Sequence, residues 1–315
     1  MKLGKKSTQE TKPAMQLFVA TADGFAAYEE SPEGWHETNH ALEGCHATCI
    51  GRQGDRLLLG TRDGLYRSED RGDTWERPEA GPGIGYLRWL LWHPEREGRA
   101  VVGTEPAAVF YTWNGGSTWA ECPEVAELRR RGGWYLPYSP RAGCVRGFAV
   151  HGSRLYGAVE QGGLLRSEDC GGTWELVGGS SGDTEERPPP ALHPDVHSVE
   201  VHGSDPDLVL APTGGGFYRS RDGGETWELL HDCYCRAVWV DPEDASHMVL
   251  GPADGVSSRG RIEVTADGGR SWRSVSELWP ERMVNRFVRA GEHLFALLSD
   301  GAVLQAHPGE FAWQR

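Results

Sequence analysis

The 315-residue sequence predicts an all-β protein, a seven-bladed β-propeller of four-stranded antiparallel blades. Three observations carry the prediction. One octapeptide recurs five times, tryptophans mark units of about 40–55 residues, and glycine is roughly twice as frequent as usual while long helical patterns are scarce.

The octapeptide has the form S/T-x-D-x-G-x-T/S-W. It runs Ser68 to Trp75, Thr112 to Trp119, Ser167 to Trp174, Ser220 to Trp227 and Thr265 to Trp272, with Asn114 replacing Asp in the second copy. The chemistry is that of a turn. A short carboxylate accepts backbone N–H groups from its own loop, a glycine two residues on can take φ > 0, and hydroxyls add local bonds. The Trp then opens the next strand with a large apolar body.

Decayed copies at Tyr28 to Trp35 and around Trp313 bring the count of units to seven, with Trp spacings of 40, 44, 55, 53, 45 and 41. A unit of that length, built of short strands, fits a propeller blade that buries its faces against its neighbours. Blade four shows the strand order: A over 145–150, B over 155–159, C over 163–167, the box, then D over 174–177. The first blade opens directly on strand B at Leu17 to Thr21, so no inner strand is recognisable there. Residues 1–14 read as a polar, disordered leader, and 15–315 as a single propeller domain.

These boxes resemble the Asp-box, or BNR, repeats of sialidases, sortilin-type propellers, xyloglucan hydrolases and photosystem II assembly factors. The resemblance covers about residues 15–315. It implies the propeller fold, with the box as a folding element on the face away from the usual ligand site. A sialidase would also need an early Arg-bearing segment. The first blade reads Leu17-Phe18-Val19-Ala20-Thr21, and the nucleophilic Tyr and acid Asp of that family have no matching motif.

The chain carries 32 Lys+Arg against 46 Asp+Glu, a net charge of −14, which disfavours nucleic acid and anionic membrane surfaces as partners. An N-terminus without an apolar core and seven Cys without a disulfide-scaffold spacing lead to the expectation of a cytoplasmic protein.

Aligning the inner strands on Trp92-His93-Pro94, Val150-His151-Gly152, Val201-His202-Gly203 and Val240-Asp241-Pro242 puts Arg88, Arg146, His197 and Arg236 in one register. Asn285 joins from blade seven, and His46 or Thr48 from blade two. Two residues later the register is apolar. A polar ring with three guanidiniums in an acidic protein predicts an axial site for an anionic small molecule or a peptide carboxylate, because Arg binds carboxylate or phosphate bidentately. The competing expectation is that each Arg pairs with a B-to-C loop carboxylate, Glu105, Glu160 or Asp254, and braces the blades.

An alternative reading is a hydrolase. Glu105, Glu160 and Asp254 are candidate glycosidase carboxylates. His193, His197, Cys233 and Cys235 are a candidate Zn set for metal-assisted hydrolysis, since imidazole and thiolate suit that ion. Otherwise no cofactor is expected. Three long D-to-A loops fall on the same face: Glu121 to Gly143 with a short helix over 123–131 followed by Trp134, Tyr135 and Tyr138, then Leu176 to Asp195, and Arg273 to Arg282.

Overall fold

Blade four of the computed structural model runs Cys144–His151, Arg154–Glu160, Gly163–Ser167 and Glu175–Leu176, each strand antiparallel to the last. The structure describes residues 15–78, 83–136, 143–180, 191–278 and 281–314. The expected leader, Tyr138 and the Pro188-Pro189-Pro190 tract lie outside the described residues.

Seven such sheets form the propeller. Blade three is Tyr86–Trp92, Ala100–Glu105, Val109–Thr112 and Ala120–Glu121. Blade five is Glu200–His202, Asp205–Thr213, Gly216–Ser220 and Glu228–His231, and blade six Tyr234–Val240, Met248–Ala253, Arg261–Thr265 and Arg273–Glu277. Blade two (Ala47–Gln53, Arg56–Thr61, Gly64–Ser68) and blade seven (Val284–Ala290, His293–Leu298, Val303–Ala306) reduce their outer strand to one bridge, Arg67 to Glu76 and Gln305 to Gln314.

Among the described residues blade one has three strands, Gln16–Thr21, Gly24–Ser31 and Gly34–Ala41, without an inner one, as expected. It meets the last blade through side chains: Trp35 packs edge-on against Phe295 with ring centroids 6.1 Å apart, and its indole N–H reaches Gln305 Oε1 at 3.5 Å. An aromatic body with a polar tip suits such a seam.

The boxes do what their residue types predict. In blade four, Asp169 Oδ1 accepts from Ser167 Oγ and the Thr173 N–H, both at 2.8 Å, and Oδ2 accepts from Thr173 Oγ1 at 2.9 Å. Ser167 Oγ accepts the Gly171 N–H at 2.9 Å, and the Trp174 indole donates to Gly171 O at 3.1 Å. Asn114 keeps the pattern in blade three by donating through Nδ2 to Thr118 Oγ1 at 2.8 Å. Gly171 is required twice: its φ is +89°, and a Cβ there would lie 2.5 Å from Val101 Cγ1 of the preceding blade. The box therefore closes its own turn and seats one blade on the one before.

The predicted helix is α1 (Pro123–Gly132), with Pro and Glu124 in its first turn, Arg129, Arg130 and Arg131 in its last, and Gly133 as a left-handed cap. Glu124 accepts the Trp174 backbone N–H at 2.8 Å, and Trp134 is buried in the core shared by blades three and four. The loop aromatic thus packs onto the rim, while Tyr135 stays exposed. Residues 273–277 belong to the outer strand of blade six, which shortens the third expected loop.

Candidate functional site

All six inner strands carry one extra residue at the same depth. Ladder pairings step from Ala47 to Cys49, Leu87 to Trp89, Val145 to Gly147, Cys235 to Val238 and Val284 to Arg286 across a shorter partner strand. In blade five Val196 faces Thr213 and Glu200 faces Leu210, so the extra residue falls within 197–199. A β-bulge turns a side chain out of the alternating pattern. The bulges coincide with Thr48, Arg88, Arg146, Arg236 and Asn285, so the predicted polar register is the bulge register. In blade two the position belongs to Thr48, two residues beyond His46; Thr48 Oγ1 donates to Leu87 O of the next blade at 2.7 Å.

The arginines do not share one environment. Arg88 meets Glu105 at 3.1 Å and donates to Tyr86 Oη at 2.9 Å. Arg146 meets Glu160 at 2.8 Å, and the Cys144 thiol donates to the same carboxylate oxygen at 3.2 Å. Burial, reinforced by the Glu160 charge, pushes that thiol up, so it remains a donor. These are the expected Arg–carboxylate pairs for two of the three arginines, each formed within one blade. Asp254 is engaged by Arg261 at 2.9 Å and Arg259 at 3.5 Å, so it does not serve Arg236.

Arg236 differs. Its Nε donates to Tyr234 Oη and its Nη1 to Asn285 Oδ1 of blade seven, each at 3.0 Å, so these hydrogen-bond partners are neutral. His197 is buried, with Nδ1 2.8 Å from Cys235 O and Nε2 3.2 Å from Asp195 Oδ2. Asp195 Oδ1 is buried without a hydrogen-bond partner in the described structure.

The expected Zn set is not assembled. Cys235 Sγ faces Thr213 O and Gly216 O, and His193 Nδ1 accepts the Asp195 N–H at 3.2 Å. Among the described residues the donors that converge are instead Glu160, Asp195 and His197, with ligand atoms within 4.8 Å of one another. Glu160 already serves Arg146, so this trio reads first as part of the polar ring.

Deeper along the axis, Arg286 stacks on Trp89 at 4.0 Å. Its side chain is exposed and reaches from blade seven across to blade three. Glu200 of blade five lies within electrostatic reach of Arg286, and burial, opposed by that guanidinium, pushes its carboxyl up to about 7. Sequence reasoning missed Tyr86, Tyr234, Asp195, Glu200 and Arg286. A signal existed for the tyrosines: Tyr86-Leu87-Arg88 and Tyr234-Cys235-Arg236 repeat one Tyr-x-Arg spacing.

Fold and boxes together define a seven-bladed Asp-box β-propeller. The BNR/Asp-box repeat family matches residues 218–229, the box of blade five. A probable oligoxyloglucan-reducing end-specific xyloglucanase from Neosartorya fischeri is 28% identical over 218 residues, covering 55% of this chain and 25% of that protein. The chain thus spans about a quarter of this curated relative. An ancestral GH74 enzyme superposes with a TM-score of 0.63 at 13% identity, covering 86% of this chain and 38% of the other. YCF48 bound to D1 peptide superposes with a TM-score of 0.62 at 16% identity, covering 95% and 96%. At these identities the structural likeness speaks for the fold alone.

Proposed function

We propose that the protein binds an anionic ligand, the carboxylate of a small molecule or peptide, at the bulge-lined end of the propeller axis, with Arg236 as the principal contact. The observation that carries this is the inequality among the arginines. Arg88 and Arg146 each have a carboxylate at close range, whereas the hydrogen-bond partners of Arg236 among the described residues are neutral oxygens, which keeps its charge for an incoming group. Asn285 and Tyr234 fix its plane, and the Arg286 guanidinium below adds positive potential. That a propeller of this fold is known bound to a peptide agrees with a peptide carboxylate as one ligand class.

The test is a binding titration with a peptide bearing a free C-terminal carboxylate, its C-terminal amide, and citrate. The acid forms should bind and the amide should not. Arg236→Ala should weaken the acid forms by about 1.5–3 kcal/mol, roughly 10–150-fold. Equal affinity in the variant would remove Arg236 from the site.

A second reading is glycoside hydrolysis, favoured by the closeness of Glu160 and Asp195 and by the xyloglucanase relative. Retaining glycosidases place two carboxyl groups about 5–5.5 Å apart. Release of reducing ends from xyloglucan oligosaccharides, abolished in Asp195→Asn, would establish it.

A further inference from the structure

Three donors meet where blade four abuts blade five. Glu160 ends the second strand of blade four, and Asp195 and His197 belong to the segment that leads into the inner strand of blade five. One ligand atom from each lies within 4.8 Å of the other two. Side-chain exposure is 5% for Glu160, 16% for Asp195 and 1% for His197, so both carboxylates sit largely out of water, where a charge needs an ionic partner or a metal. Glu160 has Arg146 at 2.8 Å, whereas among the described residues no arginine pairs with Asp195.

The hydrogen-bond directions sharpen the point. His197 Nδ1 faces Cys235 O at 2.8 Å, and a carbonyl only accepts, so a ring proton stands on Nδ1. The lone pair of the neutral ring is then on Nε2, 3.2 Å from Asp195 Oδ2, another acceptor. Tyr234 Oη, 3.5 Å from Nε2, is too far for a good hydrogen bond. Two acceptors this close repel unless a positive centre joins them, either a second ring proton or a metal ion. A ring proton serves Oδ2 and leaves the buried Oδ1 without a partner, whereas an ion held by the carboxylate neutralises both oxygens.

We propose that Glu160, Asp195 and His197 form a Zn²⁺ site that clips blade four to blade five at the bulge-lined end of the axis.

The spacing fits that ion. Two ligands about 2.0–2.1 Å from Zn²⁺ at the tetrahedral angle stand about 3.3 Å apart, and Nε2 and Oδ2 are separated by 3.2 Å. Glu160 completes the set by rotation of its side chain. The supporting contacts are those of a metal centre. Ligating imidazoles donate their other N–H to a carbonyl or carboxylate, as Nδ1 does here, and Arg146 and the Cys144 thiol hold Glu160 through Oε2. The Asp195 backbone is fixed as well: its N–H donates to His193 Nδ1 at 3.2 Å, and its carbonyl accepts the Gly214 N–H at 2.9 Å. Gly214 also leaves the room that the carboxylate fills, since a Cβ there would lie 2.1 Å from Oδ2. Of the four ligands expected from the sequence only His197 takes part, and the site contains no thiolate. Arg236 is not a ligand, so the inference goes beyond the anion-binding reading and does not depend on it.

The test is isothermal titration of the full chain with ZnCl₂ at pH 7.5, without carboxylate ligand or substrate, together with zinc-edge X-ray absorption of the loaded protein. One Zn²⁺ should bind per chain, with a nitrogen and oxygen shell at about 2.0–2.1 Å and no sulfur at about 2.3 Å. Asp195→Asn should weaken binding by tenfold or more, while its amide donates to His197 Nε2 and preserves the fold, as a thermal melt without metal would show. Cys233→Ser and Arg236→Ala should bind Zn²⁺ as the unmodified chain does, so the metal site and the anion site stand or fall separately. Failure of the unmodified protein to take up stoichiometric Zn²⁺, where no variant's folding is at issue, would show that a ring proton alone joins His197 to Asp195 and overturns the proposal. A sulfur shell, or affinity unmoved by Asp195→Asn, places the ion elsewhere and overturns it equally.

Discussion

Replacing Trp174 by Ala tests whether the box is scaffold, separately from the axial site. Trp174 is 5% exposed, packs on Phe148 with ring centroids 5.7 Å apart, and donates its indole N–H to Gly171 O at 3.1 Å. Its removal opens a cavity in the core between blades three and four and leaves the Gly171 carbonyl short of a donor. Buried Trp→Ala changes cost about 3–5 kcal/mol. With an unfolding entropy of about 2.1 cal/mol/K per residue, a cooperative 315-residue chain loses about 1.5 °C per kcal/mol, so Tm should fall by about 5–8 °C. The assay is calorimetry, paired with the carboxylate titration at a temperature where both proteins are folded. Ligand affinity should be unchanged, since Trp174 lies at the far end of its blade from the bulge. An unaltered Tm, or lost affinity in a fully folded variant, would refute the assignment of the box as scaffold.

Gly171→Ala should destabilise by about 1–3 kcal/mol in denaturant melts, from its positive φ and its contact with Val101. Glu160→Gln should cost about 2–3 kcal/mol by leaving Arg146 without its carboxylate, moderated because Arg146 retains some solvent contact, whereas Arg236→Gln should cost about 1 kcal/mol or less. Equal losses in thermal melts would show that Arg236 braces the ring. Hydrogen bonds from the Thr74 hydroxyl and backbone hold Asp70 down to about 2, and Asp169, Asp222 and Asp267 are also lowered. With folded values below the unfolded value near 4, this stabilisation is fully present above about pH 4 and is lost as pH falls toward 2. Asp70→Asn should therefore flatten the fall of Tm between pH 5 and 2; an unchanged slope would mean other groups govern acid unfolding.

The sequence alone determined the wheel, its seven units, the three-stranded first blade and the boxes. Those features rest on contacts within a few residues: Ser167, Asp169, Gly171, Thr173 and Trp174 close one turn on themselves, so their spacing is their structure. It also placed Arg88, Arg146, Arg236 and Asn285 at one depth, because a bulge repeated in each inner strand preserves the register. Only tertiary structure decided which charges remain available. Arg88 finds Glu105 seventeen residues away, while Arg236 finds Asn285 on another blade, and nothing local distinguishes the two arginines. The same holds for the thiols. Cys235, expected beside His193 and His197, turns its thiol to the Thr213 and Gly216 carbonyls instead, because blade packing sets distances that spacing along the chain leaves open.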